Sequence, residues 1–123
     1  MSAYEVVDAH YVEEHIGKMP LVDVRPTLRF DTGHIPTAVN IRLDVAQMTD
    51  DAGAELAEMF QDHGIGQHDA AIVYCQCGPH AKMACELLAG QGYDQLRLYQ
   101  GSMDDWVKDP ARPVETAGES FVK

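Results

Sequence analysis

This chain has few positively charged residues. Nine Lys and Arg residues stand against 20 Asp and Glu in 123 residues, a formal net charge of -11, and neither Lys nor Arg occurs from Leu43 to Ala81. Nucleic acids and anionic membrane surfaces are bound through basic patches. The charge balance therefore argues against both as partners.

Cysteines and long apolar runs are also scarce. The three cysteines are an odd number, and Cys75 and Cys77 are only two positions apart, which suits a reducing compartment better than a disulfide scaffold. No apolar run approaches the ~20 residues of a membrane span, and the start of the chain lacks the basic-then-apolar pattern of a signal peptide. We therefore expect a cytoplasmic protein with no membrane contact.

What is present is the composition of an ordinary folded domain, 46% hydrophobic and 24% charged. The length predicts a single domain over residues 1–123, with a core at about 4–108 and a polar, Pro-containing tail at 109–123. Apolar segments of strand type alternate with helical patterns, which predicts an α/β fold with a parallel sheet and helices on both faces. The predicted strands are Tyr4–Val7, Leu21–Val24, Val39–Ile41, Ala70–Tyr74 and Gln95–Tyr99. The predicted helices run from Asp8 to Ile16, from Asp51 to His63, from about Ala81 to Gly90, and over a short segment that contains Trp106.

Cys75 directly follows the clearest predicted strand and precedes a predicted helix. Ligands of parallel sheets bind beyond the carboxyl ends of the strands, where backbone N–H groups and the dipole of the next helix attract anions. Such a position favours the nucleophilic thiolate, and Gly78 and Pro79 permit a tight turn around the sulfur. The sequence predicts a nucleophile that handles an anionic or sulfur-bearing group. The alternative is a small buried apolar residue, the usual role of a free cysteine.

The loop after Cys75 lacks an arginine. A cysteine phosphatase needs one to clamp the phosphate dianion, but Ala81 stands six positions after Cys75. Phosphate chemistry is therefore disfavoured, and the tight loop better fits a sulfur atom carried on the cysteine.

Four motifs occur in the order typical of one family. They are Leu21-Val22-Asp23-Val24-Arg25, Gly33-His34-Ile35-Pro36, the loop Cys75 to Ala81, and Gly101-Ser102-Met103 followed by Trp106. Together they resemble the rhodanese-like sulfurtransferases over nearly the whole chain. The resemblance implies a five-stranded parallel sheet flanked by helices on both faces.

The resemblance also implies roles for single residues. Cys75 would form a persulfide, and amides of the loop would hold its outer sulfur; the loop residues are Gln76, Cys77, Gly78, Pro79 and His80. Arg29 would bind an anionic donor. From charge and position alone, Lys82 and Arg25 are further candidate cations, Asp23 can organise the strand end, and Arg25 can pair with Asp23 or an acidic neighbour. The implied activity moves sulfane sulfur from a donor such as thiosulfate to a thiol or cyanide, and requires no cofactor or metal.

Several alternatives stay open at this point. Cys77 could resolve or relay a persulfide of Cys75, as in a redox sensor, and His80 could tune the thiol. Cys75, Cys77, His80 and Cys85 are also soft metal ligands, although a closed zinc site needs four convergent ones. A further hypothesis is a sulfur carrier that serves a sulfur-relay protein with little turnover of small molecules. The sequence allows a monomer or a homodimer.

Overall fold

The computed structural model describes residues 4–116, which form an α/β domain. The strands are β1 Tyr4–Val7, β2 Leu21–Asp23, β3 Val39–Asn40, β4 Ala71–Tyr74 and β5 Leu96–Tyr99. The helices are α1 Ala9–His15, α2 Thr27–Thr32, α3 Ala52–Asp62, α4 Pro79–Ala89 and α5 Ser102–Trp106, with a 3-10 turn at Val45–Gln47. None of the helices between residues 4 and 116 is long and apolar enough to cross a membrane.

The five strands form one parallel sheet in the order β1-β5-β4-β2-β3. β4 is central, and all four of its residues are buried, as expected for a parallel strand covered on both sides. All five carboxyl ends therefore lie at one edge of the sheet, and the end of β4 lies in the middle of that edge.

Helices cover both faces of the sheet. On one face, Val73 of β4 shares an apolar cluster with residues of α3 and α4, such as Phe60 and Leu88. On the other face, Ile72 packs in a second cluster with α1 and α5, including Trp106. Alternate residues of β4 thus face opposite layers, as the pleat of a strand requires. The predicted fold, a five-stranded parallel sheet flanked by helices on both faces, is confirmed.

Helix boundaries follow from local chemistry. Asp8 caps α1 by accepting a hydrogen bond from the Tyr11 N–H at 2.9 Å. α4 starts at Pro79, where a proline is well tolerated because the first N–H groups of a helix have no partner in any case. α2 was absent from the sequence prediction, because Thr27–Thr32 is a short segment with no buried residue and no side-chain cap.

The segment after α5 packs against the domain as far as Glu115. The Trp106 indole N–H donates to the Pro113 carbonyl at 2.8 Å, and the Arg112 guanidinium lies 5.6 Å from the Trp106 ring centroid. His34 and Glu115 exchange two backbone hydrogen bonds, both of 2.8 Å. Much of the predicted polar tail, 109–123, is therefore joined to the core by specific contacts, and its last seven residues lie outside the described part of the chain.

Candidate active site

The backbone of Cys75 is fixed at the carboxyl end of β4. Its N–H donates to the Ser102 hydroxyl at 3.0 Å, and its carbonyl accepts from the Met103 N–H at 3.1 Å. The side chain is only 2% exposed. The first residues of α5, which follow β5, thus hold the backbone of the candidate nucleophile in place.

Two main-chain N–H groups point at the sulfur of Cys75. The Gly78 N–H lies 3.1 Å from Sγ and the Ala81 N–H lies 3.3 Å from it, and the Ser102 hydroxyl follows at 3.8 Å. Both amides belong to the N-terminal end of α4, where the helix dipole also favours negative charge. The site can therefore stabilise an anionic sulfur without a charged side chain.

Gly78 makes the tight loop possible. Its φ is +117°, a conformation that side chains rarely adopt, and a Cβ atom there would lie 2.5 Å from the Gln100 carbonyl oxygen. A glycine is therefore required for two independent reasons, the backbone angle and the close approach of the loop to the end of β5.

A cavity of about 240 Å³ opens above the sulfur. The structure brings most of the predicted site residues together around it: Arg25, Arg29, Cys75, Gln76, Cys77, Pro79 and His80. Pro26, which was not predicted, also lines the cavity. Gly78 contributes its backbone beneath the sulfur. Lys82 does not line this cavity, since its exposed side chain lies further along α4.

Arg25 and Asp23 form a buried ion pair beneath the loop. The Arg25 guanidinium donates to both carboxylate oxygens of Asp23, at 2.7 to 3.0 Å, and to the Gly33 carbonyl at 2.6 Å. Its remaining nitrogen donates to the Gln76 side chain at 3.0 Å, and Gln76 in turn donates to Asp104 at 2.6 Å. The charge of Arg25 is matched by Asp23, and the pair joins the end of β2 to the cysteine loop and to α5.

Arg29 is placed differently from Arg25. It lies on α2 at the cavity, its side chain is exposed, and it forms no ion pair with any residue between 4 and 116. Its guanidinium is therefore free to meet an anion that enters the cavity.

The other two cysteines have very different surroundings. Cys77 is exposed and lines the cavity beside His80. Cys85 lies on the buried face of α4, and burial raises the pKa of its thiol to about 12. Within residues 4–116 no three His, Cys, Asp or Glu side chains are grouped as metal ligands.

Ser102 was not among the predicted site residues. Its buried hydroxyl accepts from the Cys75 N–H and donates to the Tyr99 carbonyl at 3.0 Å, and its φ of +58° is uncommon for a residue with a side chain. The available signal was the pair Gly101-Ser102 just after a predicted strand, which was counted as part of a family motif with no role for the hydroxyl.

A family comparison identifies the fold that carries this site. The family model for the Rhodanese-like domain matches residues 8–109, which include four of the five strands, the cysteine loop and the cavity. The chain belongs to the rhodanese-like domain family. The sequence resemblance is thereby confirmed.

Relatives of this rhodanese-like domain include sulfurtransferases. The thiosulfate:glutathione sulfurtransferase of Saccharomyces cerevisiae is 32% identical over 99 residues, which are 78% of this chain and 70% of that protein. Adenylyltransferase and sulfurtransferase UBA4 of Candida albicans is 30% identical over 102 residues, which are 83% of this chain and 22% of that protein. The chain thus spans most of the first relative and less than a quarter of the second.

Solved structures share the fold. The human single-domain sulfurtransferase TSTD1 has a TM-score of 0.67 at 24% identity, over 85% of this chain and 96% of that one. A structure of an EanB variant with a cysteine persulfide and ergothioneine has a TM-score of 0.80 at 21% identity, over 90% of this chain and 32% of that one. At these identities the likeness establishes the architecture of the rhodanese-like domain.

Proposed function

We propose that this rhodanese-like domain is a sulfurtransferase that carries sulfane sulfur as a persulfide of Cys75. The observation that carries the proposal is the pair of amides, Gly78 and Ala81, directed at the Cys75 sulfur on the floor of an open cavity. An outer sulfur bonded to Sγ would extend into that cavity, where the same end of α4 would stabilise its negative charge.

The proposed reaction has two balanced steps. The Cys75 thiolate attacks the outer sulfur of thiosulfate, a new S–S bond forms at Sγ, and the S–S bond of thiosulfate breaks, so that its electron pair leaves with sulfite. An acceptor thiolate or cyanide then attacks the outer sulfur of the persulfide, and the Cys75 thiolate is regenerated. This is covalent catalysis, and ping-pong kinetics are expected.

Arg29 is the proposed contact for an anionic donor. It is exposed at the cavity and has no ion pair within residues 4–116, whereas Arg25 is already paired with Asp23. The name of the yeast relative pairs thiosulfate with glutathione, a thiol. That name supports a sulfur-bearing anion as the donor and a thiol as the acceptor.

Intact-mass spectrometry after treatment with thiosulfate tests the proposal. We expect the native chain to gain one sulfur atom and to lose it again when thiol or cyanide is added. Cys75→Ser should gain none, and the matched control Cys77→Ser should behave like the native chain. Full sulfur transfer by Cys75→Ser would refute the proposal, and a loss of two hydrogens would instead indicate a disulfide between Cys75 and Cys77.

A second candidate function is a sulfur carrier whose true donor or acceptor is a protein. It is favoured by the sparse positive charge at the cavity, where Arg29 is exposed but Arg25 is neutralised, in a chain of net charge -11. Slow turnover of thiosulfate beside fast persulfide exchange with a cysteine-bearing protein would favour this candidate.

A further inference from the structure

A second and larger cavity lies away from Cys75. It has a volume of about 420 Å³ and lies between α3 and the segment Arg42–Met48, which follows β3. It shares no lining residue with the cavity above the sulfur. We call this cavity the α3 groove.

Acidic side chains form one wall of the α3 groove. Glu55, Glu58, Met59 and Asp62 line it and follow one another at the i, i+3, i+4, i+7 spacing of a single helix face. Like charges at this spacing destabilise a helix, and none of the three acids pairs with a cation between residues 4 and 116. The wall thus lowers helix stability without any compensating ion pair in the described chain.

The base of the α3 groove is apolar. Leu43 and Leu56 are buried there, Met48 is half-buried, and Met59 is 37% exposed on the acidic wall. Methionine side chains adapt their shape to the groups that they contact. Arg42 also lines the groove, but its guanidinium lies 3.8 Å from the carboxylate of Asp44. The α3 groove therefore offers an adaptable apolar floor beneath a wall whose three acids, Glu55, Glu58 and Asp62, have no ion pair in the described chain.

The α3 groove begins close to the functional edge of the sheet. The Leu43 N–H donates to the Val24 carbonyl at 3.1 Å, and Val24 directly precedes Arg25, which lines the sulfur cavity. The two cavities are thus separate but lie next to each other across the end of β2.

We propose that the α3 groove docks a segment of a partner protein in which Lys and Arg flank an apolar side chain such as Leu or Met. The basic groups would meet Glu55, Glu58 and Asp62, and the apolar side chain would bury Met59 against the floor. A second copy of this chain is the wrong occupant on charge grounds, because each copy carries a net charge of -11. The proposal does not depend on persulfide chemistry.

Fluorescence anisotropy with a labelled peptide tests the docking. The probe is a short fluorescein-labelled peptide, free of cysteine, in which Lys and Arg flank one Leu and one Met. Two control peptides replace either the Leu and Met by Ser, or the Lys and Arg by Glu. We expect saturable binding of the probe to the full chain, weaker binding of the Ser peptide, and no binding of the Glu peptide.

Two matched charge reversals locate the site. The double variant Glu58→Lys, Asp62→Lys should weaken peptide binding by about tenfold or more, because it replaces two attractive charges in the groove by repulsive ones. Glu5→Lys with Glu14→Lys makes the same change in net charge on β1 and α1, at the opposite side of the sheet from β3, and should leave most of the affinity. Met59→Gln, which keeps the charge, should weaken binding by several-fold.

Clear outcomes would overturn the proposal. Absence of probe binding, or equal weakening by both charge reversals, would mean that the α3 groove is not a specific docking site. Concentration-dependent dimerisation that Met59→Gln abolishes would assign the groove to a second copy. Circular dichroism checks that each variant is folded, and unchanged persulfide formation in Met59→Gln would separate docking from the chemistry at Cys75.

Discussion

At the scale of single residues, Gly78 determines whether the amides can reach the sulfur of Cys75. Its φ of +117° turns the loop back, and the absence of a side chain lets the loop pass close to Gln100. Both features bring the Gly78 N–H to 3.1 Å from Sγ. The proposed stabilisation of the sulfur therefore depends on a glycine at this position.

Gly78→Ala should lower the free energy of unfolding by about 2–4 kcal/mol, since strain and a steric clash are combined. Because the loop must move away from Gln100, persulfide formation should also slow. Gly64→Ala is the matched control: its φ is also positive, +79°, but its Cβ would meet nothing within 4 Å, so about 1 kcal/mol is expected. Urea denaturation and the mass assay measure both effects, and equal destabilisation by the two variants would contradict the steric argument.

The sequence could predict the roles of residues that depend on neighbouring elements along the chain. The position of Cys75 after a strand and before a helix predicted amides around its sulfur. Gly78 is one of the predicted loop residues, whereas Ala81, which supplies the second amide, follows them. Ser102 could not be found in this way, because its contact with Cys75 spans 27 positions and depends on the pairing of β4 with β5. The exposed position of Arg29 at the cavity was visible only once α2 was placed there.

At the scale of elements, the strands were predicted more completely than the helices and the end of the chain. The five predicted strands are present within one residue at their ends. The signal is strongest for β2 and β4, which are short, fully buried apolar runs that contain β-branched residues. α2 was missed, since it is only six residues long and none of its residues is fully buried. The end of the chain was predicted to be a polar tail because its contacts are made by a few spaced residues, such as Pro113 and Glu115, with no periodic pattern.

The bridge between His34 and Glu115 gives this end of the chain a measurable role. Glu115→Pro removes the N–H that donates to the His34 carbonyl at 2.8 Å, and should lower the free energy of unfolding by about 1–2 kcal/mol. Glu115→Ala keeps that N–H and removes only the carboxylate, which accepts an exposed hydrogen bond from the Thr37 N–H at 3.0 Å. A smaller loss is therefore expected, because Glu115→Pro removes both the carboxylate and the N–H. Thermal denaturation followed by circular dichroism compares the two variants, and equal losses would assign the effect to the side chain instead.

At the scale of the whole molecule, negative charge opposes the approach of the proposed donor. The net charge of the chain is -11, whereas the exposed Arg29 places a positive charge at the cavity. Long-range repulsion is screened over a Debye length of about 10 Å at 0.1 M salt. The balance between this repulsion and Arg29 can therefore be read from the effect of salt.

The second-order rate constant for persulfide formation with thiosulfate should rise as salt is raised from low to moderate concentration. Stopped-flow or quenched mass measurements over a salt series provide the rate constant. Glu5→Lys with Glu14→Lys reduces the negative charge far from the cavity, and should raise the rate at low salt and flatten the salt dependence. A steep fall of the native rate with salt would mean that Arg29 outweighs the net charge.

Main-chain N–H groups contact the sulfur of Cys75, whereas side chains line the cavity above it, so the two features depend on the sequence in different ways. Gly78 and Ala81 meet the sulfur through N–H groups that every residue except proline possesses, whereas Gln76, Cys77 and His80 present their side chains to the cavity. In the proposed reaction, substitutions at Cys77 or His80 would change the surroundings of the donor and the acceptor while the amides that face the sulfur stay in place. The stabilisation of the sulfur and the lining of its cavity can thus vary independently of each other.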